Sequence, residues 1–348
     1  VSTWPAAESF NGIAVNGPLA RSVEDAALLL DAITGNHPGD LHKPLPPVES
    51  FSESARRDPG RLRIAISTKI PFSGFPAKLD REVRRQVERL GRHCLLFHER
   101  LRPKRALSES LVVDGFETFE FSQYTPVHFH TAVGAGSHYV YGFTDSELRR
   151  KGRMTARQKQ RRAQLELRFG RPDPRSIERE MAALLELVTP AGARVEIHSD
   201  EHPAYPRALA RVRERTLAHA TTRSTVPRTP HNPLFPVNLL DLLIRHSSAN
   251  HKRETIAFSK RRQSAAERLF VLVVWRNYLK SFSERKRDAT PAQRLGILGR
   301  KLSVDDVLTA RLFPTRCALP ERWAQYYWRH TTTRRIPNGR RHMLRYAA

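Results

Sequence analysis

Between residues 111 and 143, three short runs of alternating apolar residues follow one another closely. Leu111-Val112-Val113-Asp114 is an apolar run that closes on an acid, and it continues into Phe116, Phe119 and Phe121 set between polar residues. Val127–Val133 and Ser137–Phe143 alternate in the same way and carry β-branched and aromatic side chains. Such runs, joined by short turns such as Gly134–Gly136, predict three consecutive antiparallel strands. The pattern then changes. Ser146–Arg171 reads mostly as helix, and Pro174–Val188 is a second helix whose buried stripe is Ile177, Met181, Leu184, Leu185 and Leu187. Ala193–Ile197 reads as a strand, ending in His198-Ser199-Asp200. A short helix around Tyr205–Arg213, a fifth strand at Thr216–Thr221, a Pro- and Thr-rich loop at Thr222–Pro236 and long helices from Val237 through Asn277 complete the order. This predicts an α/β unit, a mixed sheet flanked by helices.

The order is that of an RNase H-like fold, in which the first strand, the end of the fourth strand and the final helix bring carboxylates together. The chemistry needs this convergence. Two divalent metals about 3.5–4 Å apart stabilise the attacking and leaving oxygens of an in-line phosphoryl displacement. Mg²⁺ takes oxygen ligands, uses one or two carboxylates and keeps positions for water and phosphate. Asp114 and Asp200 stand at the two strand positions such a site requires.

The charge of the chain divides with its patterning. Its 348 residues hold 60 Lys+Arg and 35 Asp+Glu, a net charge of +25. Residues 1–90 contain 12 and 11 of these, leaving 48 and 24 for residues 91–348. An ordinary segment is thus joined to a strongly basic one, as expected where one part meets nucleic acid. Arg149, Arg150, Lys151, Arg153, Arg157, Lys159, Arg161 and Arg162 place eight cations within fourteen residues. They are candidates for the phosphate backbone, where each cation displaces counterions. No apolar run reaches the ~18–20 residues of a membrane span, the first ten residues lack a signal-peptide pattern, and two cysteines do not make a disulfide framework. A reducing, cytoplasmic setting is the expectation.

In the first ninety residues, Ser22-Val23-Glu24-Asp25 opens a helix that Ser22 can cap, with Gly35 at its stop. Leu62–Ser67 reads as a strand and Leu79–Leu90 as an amphipathic helix. The stretch "GIAVNGPLARSVEDAALLLDAITG" at Gly12–Gly35, followed by "LRIAIS", resembles amidase-signature enzymes. That resemblance implies hydrolysis of amide (carbon–nitrogen) bonds by a Ser–Ser–Lys triad in a Gly/Ser-rich region upstream of this stretch. Ser2, Ser9 and Ser22 have no activating base beside them. The segment therefore reads as an incomplete α/β amidase-signature fragment without its catalytic region. Such a fragment would expose apolar faces.

The basic part resembles insertion-element transposases of the DDE type. The resemblance rests on "DGFETFEFSQY", "GFTDSELRRKGRMT", "HSDEHPAYPRAL", "VNLLDLLIRHSSANHKRETIAFSKRR" and "VVWRNYLKSF", in that order over residues 91–348. It implies cleavage of DNA and its transfer with Mg²⁺ or Mn²⁺, on element ends and target DNA, by a homo-oligomer assembled with that DNA. Asp114 and Asp200 would be the first two acids, and Asp241 in "VNLLDLLIR" the third, with Glu254 as the competitor and Asn238 a further candidate. Asp241 lies 41 residues beyond Asp200 and Glu254 lies 54 beyond it, and the shorter spacing suits the intervening helix, strand and loop better. Taken whole, the chain reads as a gene fusion, residues 1–90 from an amidase and residues 91–348 a transposase catalytic domain with a helical extension.

Other conspicuous residues have plainer readings. Glu117 and Glu120 are three apart and cannot share a strand face, whereas His128 and His130 do share one, expected to be a solvated sheet face. His198 and His202 flank Asp200 and are better placed to touch metal or phosphate. Tyr124, Tyr139 and Tyr141 are candidates to stack bases but read more simply as strand core, and the stripe Leu269–Val274 reads as helix core. Cys94 and Cys317 lack a zinc-binding spacing. Lys252, Arg253, Lys260, Arg261 and Arg262 are candidates to face DNA.

Overall fold

The computed structural model describes residues 17–36, 45–58, 60, 75–104, 106–251, 259, 261–283 and 288–331, with side chains from residue 82 onward in the third helix. The chain divides into two compact units, Val1–Ser73 and Gly74–Ala348. The fusion point expected near residue 90 falls inside one continuous helix, Phe75–Leu101.

In the first unit, α1 (Val23–Ile33) begins where expected. Ser22 Oγ accepts from the Asp25 amide at 3.1 Å. Helix α2 (Phe51–Arg56) is closed by a capping box between Ser50 and Glu53. Asp31 of α1 accepts from the amides of Phe51 and Ser52 at 2.6 and 2.9 Å, tying the two helices through the unpaired N–H groups of the second. Leu28, Leu29 and Ile33 are exposed and only Ala27 of α1 is buried. The strand expected at Leu62–Ser67 lies outside the described residues.

The second unit starts with α3 (Phe75–Leu101) and then forms the predicted meander, β1 (Leu111–Phe119), β2 (Pro126–Gly134) and β3 (Val140–Glu147). Helices α4 (Ala156–Phe169) and α5 (Ser176–Val188) precede β4 (Arg194–Ser199), and α6 (Ala204–Arg211) leads to β5 (Thr216–Thr221). Then come α7 (Phe235–Ser247), α8 (Arg262–Val274) and three short helices, α9 (Pro291–Arg294), α10 (Val304–Leu308) and α11 (Glu321–Tyr327). The sheet is mixed, in the order β3-β2-β1-β4-β5. β1, β2 and β3 pair antiparallel, and β1, β4 and β5 pair parallel.

Strand alternation assigns the faces. Thr144 on β3 donates to the Glu180 carbonyl at 2.7 Å, so α5 covers the face that carries Thr144 and its cross-strand partner His130. Phe116 and Phe129 stack at 5.5 Å on the opposite face, under the His251 ring. Phe143 joins them and packs on Phe270 of α8 at 4.4 Å. Helix α8 lies against α3 so closely that a Cβ on Gly91 would stand 2.6–2.8 Å from the Cβ, carbonyl oxygen and Cα of Glu267. This contact explains a glycine inside a helix, where it otherwise costs about 1 kcal/mol.

Three buried polar groups tie the periphery to the sheet. His98 of α3 is fully buried between the Tyr141 carbonyl, 3.1 Å from Nε2, and the Tyr278 hydroxyl, 3.0 Å from Nδ1. A carbonyl only accepts, so Nε2 carries the proton and Nδ1 accepts from Tyr278. Burial pushes this imidazole down to about 3. Asn277, in the π-helical turn after α8, accepts from the Val140 amide and donates to its carbonyl, both at 2.9 Å. It thereby satisfies backbone groups of the edge strand β3. The buried Asp145 carboxylate on β3 receives the guanidinium of Arg262, that of Arg322 at 2.9 Å and the Tyr326 hydroxyl. Arg262 is therefore enclosed against a carboxylate, correcting its expected place on a DNA-facing surface. Lys252, Arg253 and Lys260 lie outside the described residues. Among the described residues, no helix is long and apolar enough to cross a membrane.

Candidate active site

Asp114 sits in the middle of β1, the central strand of the sheet. The parallel register pairs Val112 with His198. Continued two residues, it sets Asp114 level with Asp200, just past the end of β4. Two apolar strands thus deliver two acids to one sheet edge. Helix α7 packs on β1 and β2 and carries Asp241.

The electrostatics show that these carboxylates sense one another. Burial, with the Asp200 charge adding to it, pushes Asp114 up to about 6 against the opposing bond from the Gly115 amide. Burial and then the Asp114 charge push Asp241 up to about 7, opposed by Arg245 and Arg228. Asp241 is half-buried as a residue, yet its Oδ1 is enclosed with no hydrogen-bond partner. An orphaned buried carboxylate oxygen is costly and demands an explanation. The Tyr205 hydroxyl donates to Asp114 Oδ1 at 3.2 Å, and Asp200 Oδ1 accepts from the His202 amide at 2.9 Å. As placed, no group of three or more His, Cys, Asp or Glu among the described residues is set to hold a metal ion. The acids are neighbours without being closed onto a common point.

Of the sequence candidates, Asp114, Asp200 and Asp241 are brought together. Asn238 lies one turn earlier on α7, and Glu254 lies outside the described residues. His198 pairs with Glu196 of its own strand at 3.3 Å, while His202 neighbours Asp200 and Tyr205. Tyr205 and Arg228 carry no mark in the sequence, because the acids they act on lie on other elements, whereas Arg245 stands four residues after Asp241 on α7, a helical ion-pair spacing that is legible in the sequence.

The expected solvated face at His128 and His130 is overturned. His130 is completely buried with Nε2 3.0 Å from Ser146 Oγ, and both ring nitrogens of His128 are buried and unpartnered. Helix α5 covers this face, and glycine at 115 makes room for the His128 ring. A Cβ there would lie 2.3 Å from His128 Nε2 and 2.2 Å from the Phe129 carbonyl oxygen.

The cation run is split in use. Arg149 makes a two-pronged bond to Glu166 at 2.8 and 3.0 Å, and Arg162 approaches the same acid at 3.4 Å. Arg153, Arg157, Lys159 and Arg161 are exposed. Arg149, Arg150, Lys151 and Arg162 line a cleft of about 1060 Å³, together with Arg171, and its wall includes His128 and His202.

The family match falls on the other end of the chain. The Amidase family matches residues 1–140. The putative amidase AmiA2 of Mycobacterium tuberculosis (strain ATCC 25618 / H37Rv) is 54% identical over 91 residues, 26% of this chain and 18% of that protein. The 6-aminohexanoate-cyclic-dimer hydrolase of a Pseudomonas (strain NK87) is 36% identical over 64 residues, 18% of this chain and 13% of that one. The N-terminal part of the chain is amidase-like. The chain spans under a fifth of the length of these relatives. The family match reaches residue 140, through β1 and β2, and so extends into the second unit. Among solved structures, the HTLV-2 integrase catalytic core domain in complex with magnesium aligns over 56% of this chain and 98% of its own, at 12% identity and a TM-score of 0.23. A likeness that slight assigns no function.

Proposed function

We propose that the second unit is an RNase H-like, metal-dependent phosphoryl transferase acting on DNA, of the strand-cleaving and strand-transferring kind used by insertion-element transposases. One observation carries the reading: Asp241 presents a buried, unpartnered carboxylate oxygen beside Asp114, which the strand register sets level with Asp200. Three hard oxygen donors that repel one another suit a hard divalent cation such as Mg²⁺ or Mn²⁺. Asp114, Asp200 and Asp241 would hold it, and their present spacing requires the side chains to close on it. Bound cations would stabilise the attacking and leaving oxygens of an in-line displacement. Tyr205 holds the rotamer of Asp114 through its hydroxyl, while Arg228 and Arg245 offset charge at Asp241. The exposed cations of α4 would engage the DNA backbone, in a homo-oligomer on the element ends. In this reading the chain is a fusion whose first part contributes no chemistry to DNA.

A second reading has its own support. The identity of the N-terminal part to amidases favours hydrolysis of carbon–nitrogen bonds for the residues it covers. One experiment separates the two. The full chain is incubated with supercoiled plasmid and Mn²⁺, and separately with aryl amides. Metal-dependent nicking that disappears in Asp200→Ala supports the first reading. Amide turnover without any nicking supports the second and rejects the first.

A further inference from the structure

The cleft next to the acids has features that their chemistry does not use. Its lining includes residues 149–152 and 171–174 and reaches His202, two residues from Asp200. Two of its cations are already engaged, since Arg149 and Arg162 share Glu166. Of the two acids in the lining, Asp173 is likewise held by Arg179, and Glu117 is exposed. Arg150, Lys151 and Arg171 make no ion pair among the described residues. Arg150 also keeps a buried Nη1 without a hydrogen-bond partner, and His128 does so with both ring nitrogens. Buried polar atoms in a protein interior are nearly always satisfied. The Arg150 Nη1 donor and the neutral His128 ring, with one donor and one acceptor, therefore leave bonding capacity unused in this lining. The guanidinium of Arg150 lies 4.8 Å above the Tyr124 ring. A cationic groove beside an aromatic–arginine stack is the arrangement by which proteins hold unpaired nucleic acid.

We infer that this cleft is a channel for a single, unpaired DNA strand, whose phosphates meet Arg150, Lys151 and Arg171 and whose inner end reaches the carboxylates past His128 and His202. The shape favours one strand over a duplex. A cleft of about 1060 Å³ is at the upper end of small-ligand pockets, so a few nucleotides fit within it and a paired helix does not. Arg149 and Arg162 brace the wall through Glu166, and the free cations do the binding. The inference rests on reading the three acids as a phosphoryl-transfer site and adds the form in which the substrate arrives: the end to be joined is unpaired before it reaches them.

The test uses the full chain, a fluorescent twelve-nucleotide oligothymidylate and anisotropy in EDTA, so that binding is separated from cleavage. The double variant Arg150→Glu/Arg171→Glu is expected to bind at least tenfold more weakly at low salt. Its slope of log affinity against log salt should be shallower by about 1.4, the value for two lost single-strand phosphate contacts. Binding of a blunt duplex and the melting temperature should be unchanged, which excludes misfolding. Wild-type affinity and slope in the double variant, equal loss for duplex and single strand, or no oligonucleotide binding by the wild type would each overturn the channel. Failure of the active-site reading looks different: oligonucleotide binding remains sensitive to Arg150 and Arg171 while no metal-dependent nicking occurs.

Discussion

Asp145 provides the sharpest test of how the second unit is held together. Its carboxylate is completely buried, while Arg262 keeps 9% of its side chain exposed and Arg322 keeps 18%. Both guanidiniums and the Tyr326 hydroxyl converge on it. Replacing it by Asn keeps the shape and removes the charge, leaving two cations partly compensated by Glu147 at 3.3 Å and Glu180 at 3.6 Å. Breaking a buried ion pair by removing one partner costs about 3–5 kcal/mol. For a unit of this size each kcal/mol moves the melting temperature by roughly 2–4 °C, so a fall of about 10 °C is expected in a thermal melt followed by circular dichroism. The matched control is Arg149→Ala, whose ion pair with Glu166 is partly exposed and should cost about 1 kcal/mol or less. Replacing Asp145 by Leu together with Arg262 by Met should recover part of the loss, because buried ion pairs can be exchanged for apolar packing. If Asp145→Asn melts within about 2 °C of the wild type by that scale, the carboxylate does not carry the two arginines and the tethering of α8 and α11 to β3 is misread.

Three further outcomes are expected. Gly115→Ala must displace either the His128 ring or the Phe129 carbonyl, so it should destabilise the chain by about 2 kcal/mol or more in urea unfolding, at the upper end of overpacking costs. His98 has its folded value depressed from 6.5 to about 3. Its stabilising contribution is therefore complete above pH 6.5 and is lost as the pH falls towards 3, by about 2 kcal/mol at pH 5, and His98→Asn should flatten that part of a urea-midpoint profile. Asp241 is raised from 3.8 to about 7, so its ionisation costs stability as the pH rises through 7. In EDTA at pH 8, Asp241→Asn should accordingly be more stable than the wild type by about 2 kcal/mol, half of the full shift at 1.36 kcal/mol per pH unit because the residue is partly solvated, and this gain should shrink at pH 5.

Local patterning makes the second unit legible to within a few residues along the meander, α5, β4, α6 and β5. Alternation and the 3.6-residue stripe are properties of contiguous sequence, and so is the placing of Asp114 and Asp200 at strand positions. Asp241 is harder to read, because its role depends on how α7 crosses the sheet. The face that carries His128 and His130 misleads, because two polar side chains at period two look the same whether water or a helix covers them. Arg262 resembles a surface cation in the sequence because its partner, Asp145, is 117 residues away. Arg228 and the cleft beyond His202 depend on loops folding back, and Tyr205 on α6 meets an acid 91 residues away, so no local spacing announces them. In the first unit the capped helix is readable, since capping is a local signal.

The proposed chemistry depends on Asp114, Asp200 and Asp241 holding divalent cations. Titration of the full chain with Mn²⁺, followed by loss of the free-ion signal in electron paramagnetic resonance, measures this directly. About two ions should bind per chain, the number used in two-metal phosphoryl transfer, with binding abolished or reduced at least tenfold in Asp114→Asn, Asp200→Asn and Asp241→Asn alike. Wild-type protein that binds no Mn²⁺ in the millimolar range, or binding that all three variants retain, would contradict it.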